Sequence, residues 1–310
     1  MRDRDFTRVL GRMKLEQKLR EALQRRGYQE VSTPILVKSP GTDVNLEAFT
    51  TEYRPRLDPS VPAGAYYLHT SPEFAMKRLL VQGLTAIFQI CKVFRQGELS
   101  PLHQPEFTLA EWYRVGWTYR ELMDEIEGLV RELLGPTLTY QGRSYDLKEK
   151  FRRISVAEAF RQAAGSDLLG SGFSEEKFFG LMVEQVEPWL IAQGPVFLYD
   201  YPAEQAILAR KKASDPRLAE RFELFIAGIE LCNGWSELTD PAEQRSRFQA
   251  DLAQRRERGL PLYPLPEAFL QALAQGLPPC AGVALGVDRL AMLKTDSANI
   301  SEVLAFSFGA

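Results

Sequence analysis

Two apolar runs separated by a polar loop constrain most strongly how this chain can fold. Residues 85–94 (TAIFQICKVF) and 106–113 (EFTLAEWY) are rich in β-branched and aromatic residues, whereas Gly97, Pro101 and Pro105 interrupt the stretch between them. Glycine and proline favour a loop because they interrupt regular strand pairing. The two runs are therefore predicted to pair as an antiparallel hairpin with a long connecting loop.

Helical and extended patterns precede this hairpin. Apolar residues recur at helical spacing over residues 5–26, and Gly27 follows as a helix-ending residue. The next segment, 27–36 (GYQEVSTPIL), is predicted to be extended. Residues 73–82 follow Pro72, which suits a first helical turn, and are predicted to form a short helix.

The rest of the chain returns twice to strand composition. Residues 119–213 are mostly helical in pattern, with a strand at 195–201, and are interpreted as scaffold and insertion within one domain of residues 1–310. Residues 221–238 read as a strand pair turning at Ala227 and Gly228. An N-cap at Asp240 predicts a helix over residues 240–258.

Composition and charge limit the classes of function. The chain has 310 residues, 45% hydrophobic and 25% charged, which indicates a globular protein. Its net charge of -3 does not suggest binding of nucleic acid by electrostatics alone, but it is weak evidence about partners. Three cysteines without a CxxC spacing fit a reducing compartment. The first residues, MRDRDFTRVL, lack the apolar segment of a signal peptide, and no stretch is long enough to span a membrane. A cytoplasmic protein is expected.

The first candidate site lies on the hairpin. Arg95 ends the first strand, and its planar guanidinium suits a phosphate or a carboxylate, while Phe107 suits stacking on a base. Phe107, Leu109, Glu111 and Tyr113 alternate onto one strand face, so Glu111 and Tyr113 would share the cavity of Phe107. The alternative is a surface ion pair for Arg95 and a core position for Phe107.

The second candidate site is acidic. Glu223, Glu230, Asn233 and Glu237 interrupt an otherwise apolar strand pair, where carboxylates are costly unless cations match them. Mg²⁺ on a triphosphate or a substrate ammonium would serve, and strand parity leaves open which residue does which. The alternative is a solvated outer sheet face.

The third candidate site is residues 282–289 (GVALGVDR). Its glycines allow a ligand to approach the backbone closely, and Arg289 near a helix start can meet a phosphate. Close packing of a strand against a helix would explain the same glycines.

Together and in this order, these features resemble the three signature motifs of class II aminoacyl-tRNA synthetases. These are the segment ending at Pro34, the arginine-bearing hairpin, and a GxGxxR pattern whose first glycine is Ala284 here. TSPEFAMKRLL, HQPEFTLAEWY and RFELFIAGIELCNGWSEL are most similar to lysyl-tRNA synthetases, over nearly the whole chain. The resemblance implies an α+β fold with an antiparallel β-sheet flanked by helices, ATP and Mg²⁺ as cofactors, a lysine-like substrate, and a homodimer around Pro34.

The resemblance also implies roles for individual residues. Arg95 resembles the arginine that bridges the α-phosphate and the substrate carboxylate, and Arg289 the one at the far end of the triphosphate; both are expected to be catalytic. The expected nucleotide site consists of Arg95, Gln96, Gly97, His103, Gln104, Phe107, Glu223, Leu224, Gly286 and Arg289. Glu223 and Glu230 resemble the Mg²⁺ carboxylates. The expected amino-acid site consists of Ser71, Pro72, Glu73, Glu111, Tyr113, Glu230, Asn233, Glu237 and Ala284.

Within this class the chain resembles the stand-alone elongation factor P lysine ligases. The opening helix begins within the first few residues, so no anticodon-binding domain is expected, and those ligases carry alanine at the position of Ala284. Cys232 also replaces a synthetase glycine and is expected to reshape the amino-acid pocket. The resemblance implies activation of (R)-β-lysine or lysine as an adenylate and transfer to a lysine of elongation factor P, with tRNA an improbable partner.

Two other functions remain open, a lysyl-tRNA synthetase-like enzyme that charges tRNA and a non-catalytic amino-acid sensor. One departure concerns the motif arginine: a glutamate usually stands two residues after it, where this chain has Gly97 followed by Glu98. The basic helix end at Arg255, Arg256 and Arg258 is interpreted as solvated, where it complements the helix dipole; the alternative is that it docks an acidic partner.

Overall fold

The computed structural model describes residues 6–57, 60, 63–170, 174–206 and 208–309, so the predicted helix start at residue 5 lies outside the described residues. The helices are α1 (Thr7–Arg25), α2 (Glu73–Val81), α3 (Tyr119–Leu134), α4 (Val156–Ala164), α5 (Glu175–Leu181), α6 (Glu187–Leu190), α7 (Pro241–Glu257), α8 (Glu267–Gly276) and α9 (Val287–Lys294). A π-helical turn, Met182–Val186, joins α5 to α6, and single 3-10 turns lie at Ala203–Gln205 and Ile300–Glu302.

The strands form one large sheet and two small ones. They are β1 (Gln29–Glu30), β2 (Leu36–Val37), β3 (Thr50–Tyr53), β4 (Gly64–Leu68), β5 (Ala86–Phe94), β6 (Glu106–Val115), β7 (Thr137–Tyr140), β8 (Arg143–Asp146), β9 (Arg152–Ser155), β10 (Val196–Pro202), β11 (Lys211–Lys212), β12 (Asp215–Ile226), β13 (Ile229–Ser236) and β14 (Cys280–Gly286). The large sheet has the order β1-β5-β6-β14-β13-β12-β10-β9, and β11 pairs with β12.

The antiparallel centre of the large sheet confirms the predicted α+β class. β5, β6, β14, β13, β12 and β10 are all antiparallel to their neighbours in that run. The two edges differ, because β1 runs parallel to β5 and β9 parallel to β10. The remaining strands form a three-stranded sheet, β2-β4-β3, and the hairpin β7-β8.

Both predicted strand pairs are confirmed. β5 and β6 pair from Ala86 with Arg114 to Phe94 with Glu106. β12 and β13 are joined by Ala227 and Gly228, whose φ angles of 55° and 79° give the left-handed turn that suits the twist of a hairpin. The large sheet therefore carries the two candidate sites on adjacent hairpins, bridged by β14.

Helices cover both faces of the large sheet. Phe88 faces a core that includes residues of α1, α3 and α9, whereas its neighbour Ile87 faces a core that includes residues of α2, α7 and α8. This alternation follows from the two-residue repeat of a strand. Among the described residues, no helix is long and apolar enough to cross a bilayer.

The middle of the chain departs from its mostly helical pattern. Residues 119–213 contain the expected helices and the expected strand β10, but also β7, β8, β9 and β11. β9 and β10 extend the large sheet. The core that contains Phe88, called the first core below, also contains side chains of α3. The expected helices form, but the short strands were not predicted, because a strand such as β9, Arg152–Ser155, buries few side chains and leaves a weak periodic signal.

Candidate active site

One cavity of about 930 Å³ opens over the centre of the large sheet. Residues from β6, β12, β13 and β14 line it, together with the segment before α2 and part of α7. The predicted site residues that line it are Ser71, Glu73, Arg95, Glu111, Tyr113, Glu223, Glu230, Asn233 and Ala284. The three candidate sites of the sequence therefore meet in one place.

Two buried side chains of β6 form the floor of one end of the cavity. Glu111 accepts hydrogen bonds from the Ser71 hydroxyl at 2.9 Å and the Tyr113 hydroxyl at 2.5 Å. Desolvation, followed by the nearby charge of Glu73, raises the pKa of Glu111 to about 7. Because burial disfavours the lone carboxylate, this end of the cavity suits a cationic ligand group.

A buried lysine joins two further carboxylates at the same end. The Lys77 ammonium contacts Glu73, one helical turn earlier on α2, and lies 2.5 Å from Oε2 of Glu237. The indole nitrogen of Trp235 donates to the same Oε2 at 2.7 Å. Burial raises the pKa of Glu237 although Lys77 opposes that shift. Glu237 does not itself line the cavity, because it lies beneath the cavity wall.

The opposite end of the cavity holds a polar network around Glu223. Arg221 donates to Oε1 of Glu223 at 2.5 Å, Asn233 donates to the same oxygen at 3.1 Å, and Tyr201 donates to Oε2 at 2.6 Å. Even so, desolvation and then the charge of Glu230 outweigh Arg221 and raise the pKa of Glu223 to about 7. The strands hold this carboxyl in place, and it has capacity for a further cation.

Arg289 links the first turn of α9 to the loop of the first hairpin. Its guanidinium donates to the Glu230 carbonyl at 2.9 Å and lies 3.3 Å from the Glu230 carboxylate. It also lies 2.7 Å from Nε2 of His103, whose Nδ1 is 2.7 Å from the Ser100 hydroxyl. Desolvation and then Arg289 lower the pKa of His103, so a neutral ring accepts at Nε2.

Arg95 lies at the cavity wall with an unused donor. Its guanidinium carbon is 5.1 Å from the centre of the Phe107 ring, and its buried Nε has no partner among the described residues. Phe107 is not among the lining residues, contrary to the prediction that it shares the cavity of Glu111. Glu98 lies 3.8 Å from Arg95, while Gly97 takes a left-handed φ of 83°. Glycine suits this left-handed turn, and Glu98 is the carboxylate that lies near Arg95.

The remaining predicted site residues lie around the cavity rather than in its described lining. The backbone amide of Gln96 donates to the Glu47 carbonyl at 2.8 Å. The side-chain oxygen of Gln104 accepts from the backbone amide of Phe308 at 2.8 Å. Pro72 and Gly286 precede α2 and α9 as their N-caps, and the Leu224 side chain is in the core. Any contact of Leu224 with a ligand would therefore use its backbone.

Two predictions about single residues are wrong. Cys232 was expected to reshape the pocket, but its side chain is buried in the first core, on the strand face opposite Asn233. Arg255 was interpreted as solvated, but it is fully buried and donates to the carbonyls of Pro261, Asp43 and Leu46. The carbonyls of Asp43 and Leu46 are distant in sequence, and Pro261 lies beyond the helix end, so helical spacing alone does not indicate this burial.

Other functional side chains were missed. Lys77 and Arg221 supply the cations that match Glu237 and Glu223, and residues 40–46 line the cavity opposite the sheet. Lys77 follows Glu73 by four residues on one helix face, a spacing that the sequence does display. Arg221 stands two residues before Glu223 on one strand face, which is also a readable signal.

The fold and the site together define a class of protein, namely one with an antiparallel sheet flanked by helices and, over that sheet, a cavity lined by carboxylates and arginines. Residues 2–309 match the family described as tRNA synthetases class II (D, K and N). A protein of Hamiltonella defensa named elongation factor P (R)-beta-lysine ligase is 42% identical, over 97% of this chain and 95% of its own. Proteins with that name from Vibrio cholerae and Salmonella paratyphi B are 40% and 39% identical over at least 94% of each chain. The chain therefore belongs to the class II synthetase family and, within it, to the group of these ligases.

Proposed function

We propose that this chain uses ATP to activate (R)-β-lysine, or lysine, as an aminoacyl-adenylate and transfers the acyl group to a lysine side chain of elongation factor P. The observation that carries the proposal is the pairing of two cavity ends. One is lined by Glu73 and Glu111, which lack a cation for each carboxylate, whereas Arg95, Glu223 and Glu230 line the rest of the cavity and Arg289 lies against Glu230. The names of the relatives, which cover nearly the whole chain, support the same acceptor.

The reaction has two steps. A carboxylate oxygen of the amino acid attacks the α-phosphorus of ATP, and pyrophosphate leaves. The uncharged amine of the acceptor lysine then attacks the acyl carbon, AMP leaves, and the amine gives up a proton. Arg95 is proposed to hold the substrate carboxylate against the α-phosphate, and Arg289 the far phosphates, so that both stabilise developing charge.

Glu223 and Glu230 are proposed to hold Mg²⁺. Both line the cavity, and burial beside Glu230 leaves Glu223 with a raised pKa that a cation would reverse. No cluster of three or more metal-ligating side chains exists within the described ranges, but Mg²⁺ commonly uses one or two carboxylates with phosphate and water oxygens. When bound, the ion neutralises phosphate charge. The two carboxylates fit this role.

At the other end, Glu73, Glu111 and Glu237 are proposed to take the two ammonium groups of the substrate. Ser71 and Tyr113 would keep Glu111 in place through the hydrogen bonds described above. Ala284 lies on β14 opposite Glu111 and Asn233 and would limit the room beside the reacting carboxylate.

ATP–pyrophosphate exchange tests the activation step. The exchange rate is measured with (R)-β-lysine, with α-lysine, and with norleucine, which has the same carbon chain as lysine without the side-chain ammonium. We expect exchange with a diamino acid and little with norleucine. Exchange that does not depend on a diamino acid would contradict the proposal, and a complete absence of exchange would revive the non-catalytic sensor.

We also propose a homodimer in the cytoplasm. Phe6, Leu10 and Met13 follow one another on one face of α1 and are each about half exposed, at 51%, 53% and 51%. Such an apolar stripe is typical of an interface. All three cysteines are free thiols, which fits a reducing compartment.

A further inference from the structure

Lys77 is a buried cation placed between two carboxylates of the amino-acid end. Only 1% of its side chain is exposed, and the Glu237 side chain is fully buried. Burial alone would lower the pKa of Lys77, but Glu237 and Glu73 raise it above the ordinary lysine value. The lysine therefore stays charged, and its contacts fix the conformations of both partners.

The second oxygen of Glu237 is free. Lys77 and the Trp235 indole both occupy Oε2, whereas Oε1 is buried and has no hydrogen-bond partner among the described residues. A Cβ added at Gly282, which lines the cavity, would lie 2.6 Å from this Oε1. The Tyr113 ring lies closer still to that position, so Oε1 lies directly behind Gly282 and Tyr113, which both line the cavity. A buried acceptor without a donor is costly, so it indicates a group that a ligand completes.

Lys77 also favours the charged form of that carboxyl, although burial still raises the pKa of Glu237 to about 8. Three buried or half-buried carboxyls, of Glu73, Glu111 and Glu237, lie at this end, and Lys77 is the cation that contacts two of them. Without it, mutual repulsion and burial would place a proton on at least one carboxyl, and Glu237, whose pKa burial raises further than that of Glu111, would take it first. A protonated carboxyl is a poor acceptor for an ammonium group.

We propose that Lys77 is a positioning residue for the side-chain ammonium of the substrate, because it favours the ionised form of Glu237 and, with Trp235, holds Oε2 so that Oε1 is the oxygen left for a ligand. The inference rests on the proposed function, since it assigns a cause to the preference for a diamino acid. Lys77 would thus enforce that preference without contacting the substrate.

The groups that titrate around Lys77 come from every neighbouring element. α2 contributes Glu73, β6 contributes Glu111 and the Tyr113 hydroxyl, and β14 contributes the Cys280 thiol, whose pKa burial raises. Tyr113 and Cys280 stay neutral over the physiological range because the pKa of each is raised. The carboxyls are therefore the groups whose protonation changes when Lys77 is removed.

Lys77→Met is the test variant, and Arg78→Met, which removes an exposed charge from the next position of α2, is the control. KM values for (R)-β-lysine, α-lysine, norleucine and ATP are measured by ATP–pyrophosphate exchange from about pH 7 to pH 9. We expect Lys77→Met to raise the KM of the diamino acid about 10- to 100-fold, the range for loss of a hydrogen bond to a charged group. The KM for ATP and all values for Arg78→Met should stay near those of the wild type.

Two readouts separate positioning from a merely structural role. Discrimination between the diamino acid and norleucine should fall in Lys77→Met. The KM of Lys77→Met for the diamino acid, divided by the wild-type KM, should also fall as pH rises, because Glu237 regains its charge in the variant. An unchanged or lower KM for the diamino acid, or an equal rise in the KM for ATP, would overturn the proposal.

Lys77→Arg covers the case in which the methionine variant does not fold. Arginine keeps the charge, so discrimination against norleucine should survive even if the larger guanidinium group raises the KM for the diamino acid. Loss of discrimination would overturn the inference. A wild-type protein that shows no exchange with any amino acid would instead refute the proposed function, so the two failures are distinguishable.

Discussion

Arg95 is the residue on which the proposed activation step most depends. Its buried Nε lacks a partner within the part of the chain that the structure describes, and its other contacts are the Phe107 ring and a distant Glu98. We expect Arg95→Ala to lower ATP–pyrophosphate exchange at least about 100-fold, as for loss of one preorganised charge contact in a transition state. Circular dichroism checks folding. Near-normal exchange would contradict the assignment.

Arg95→Lys is the matched variant. It keeps the charge but loses the planar pair of donors that suits a carboxylate and a phosphate together. We expect exchange to lie between that of the wild type and that of Arg95→Ala. An alanine variant as active as the lysine variant would show that charge at this position does not matter.

Glu111 and Glu223 predict how stability depends on pH. Desolvation raises the pKa of each from its ordinary value of 4.5 to about 7, so the folded protein holds protons that the unfolded chain has already lost between those pH values. The free energy of unfolding of the ligand-free protein should therefore fall as pH rises from about 5 to 8. Urea unfolding at several pH values measures it.

Glu111→Gln supplies the control for this prediction. The amide keeps the shape of the side chain but cannot titrate, so the fall in stability with rising pH should become shallower. A slope that is unchanged in this variant, or a wild-type stability that rises over this range, would contradict the assigned cause.

At the scale of single residues, the sequence predicts well which side chains lie together. It predicts less well which hydrogen bonds and ion pairs these side chains form in the ligand-free protein. Glu111, Glu223, Asn233 and Arg95 meet in one cavity as expected. The partners Lys77 and Arg221 were not anticipated, although each stands on one element with a carboxylate that it contacts, Glu73 and Glu223. The contact of Lys77 with Glu237 joins two elements, and spacing along one element does not predict it.

Among the elements, the segment 40–46 and helix α7 form a unit over the cavity. Thr42 donates to Asp251 at 2.8 Å, and Arg255 donates to the carbonyls of Asp43 and Leu46 at 2.6 and 3.0 Å. The ring of Tyr263 lies 4.4 Å from the Arg255 guanidinium carbon. Arg255 therefore fastens the wall of the cavity that faces the sheet.

Arg255→Met should loosen this wall. It leaves buried carbonyls without donors, and we expect a loss of about 2–4 kcal/mol in the free energy of unfolding together with a higher KM for the amino acid. Urea unfolding and exchange kinetics measure the two effects. Arg256→Met, at the exposed neighbouring position of α7, should change neither, and an equal effect of both variants would refute the role of Arg255.

Element prediction succeeded where patterns are long and failed where they are short. The hairpin β5-β6, the turn at Ala227 and Gly228, and helix α7 all follow from local composition. Strands β7, β8 and β9 were missed because each has four residues, too few to show alternation. Their place in the sheet depends on partners far along the chain.

At the scale of the whole molecule, the exposed stripe of α1 predicts a homodimer. Met13→Glu places a charge in the proposed interface and should produce a monomer, whereas Lys18→Glu, elsewhere on the exposed surface of α1, should not. Size-exclusion chromatography with light scattering gives the mass. A wild-type monomer, or a dimer that persists in Met13→Glu, would contradict this interface.

The acceptor is the central claim about the whole molecule. The protein is incubated with ATP, (R)-β-lysine and an equal mixture of elongation factor P and tRNA, and the intact mass of elongation factor P is measured beside the acylation of tRNA. The account predicts that elongation factor P gains the mass of one β-lysyl group on a lysine while tRNA stays uncharged. Charged tRNA with unmodified elongation factor P would contradict it and indicate a lysyl-tRNA synthetase-like enzyme instead.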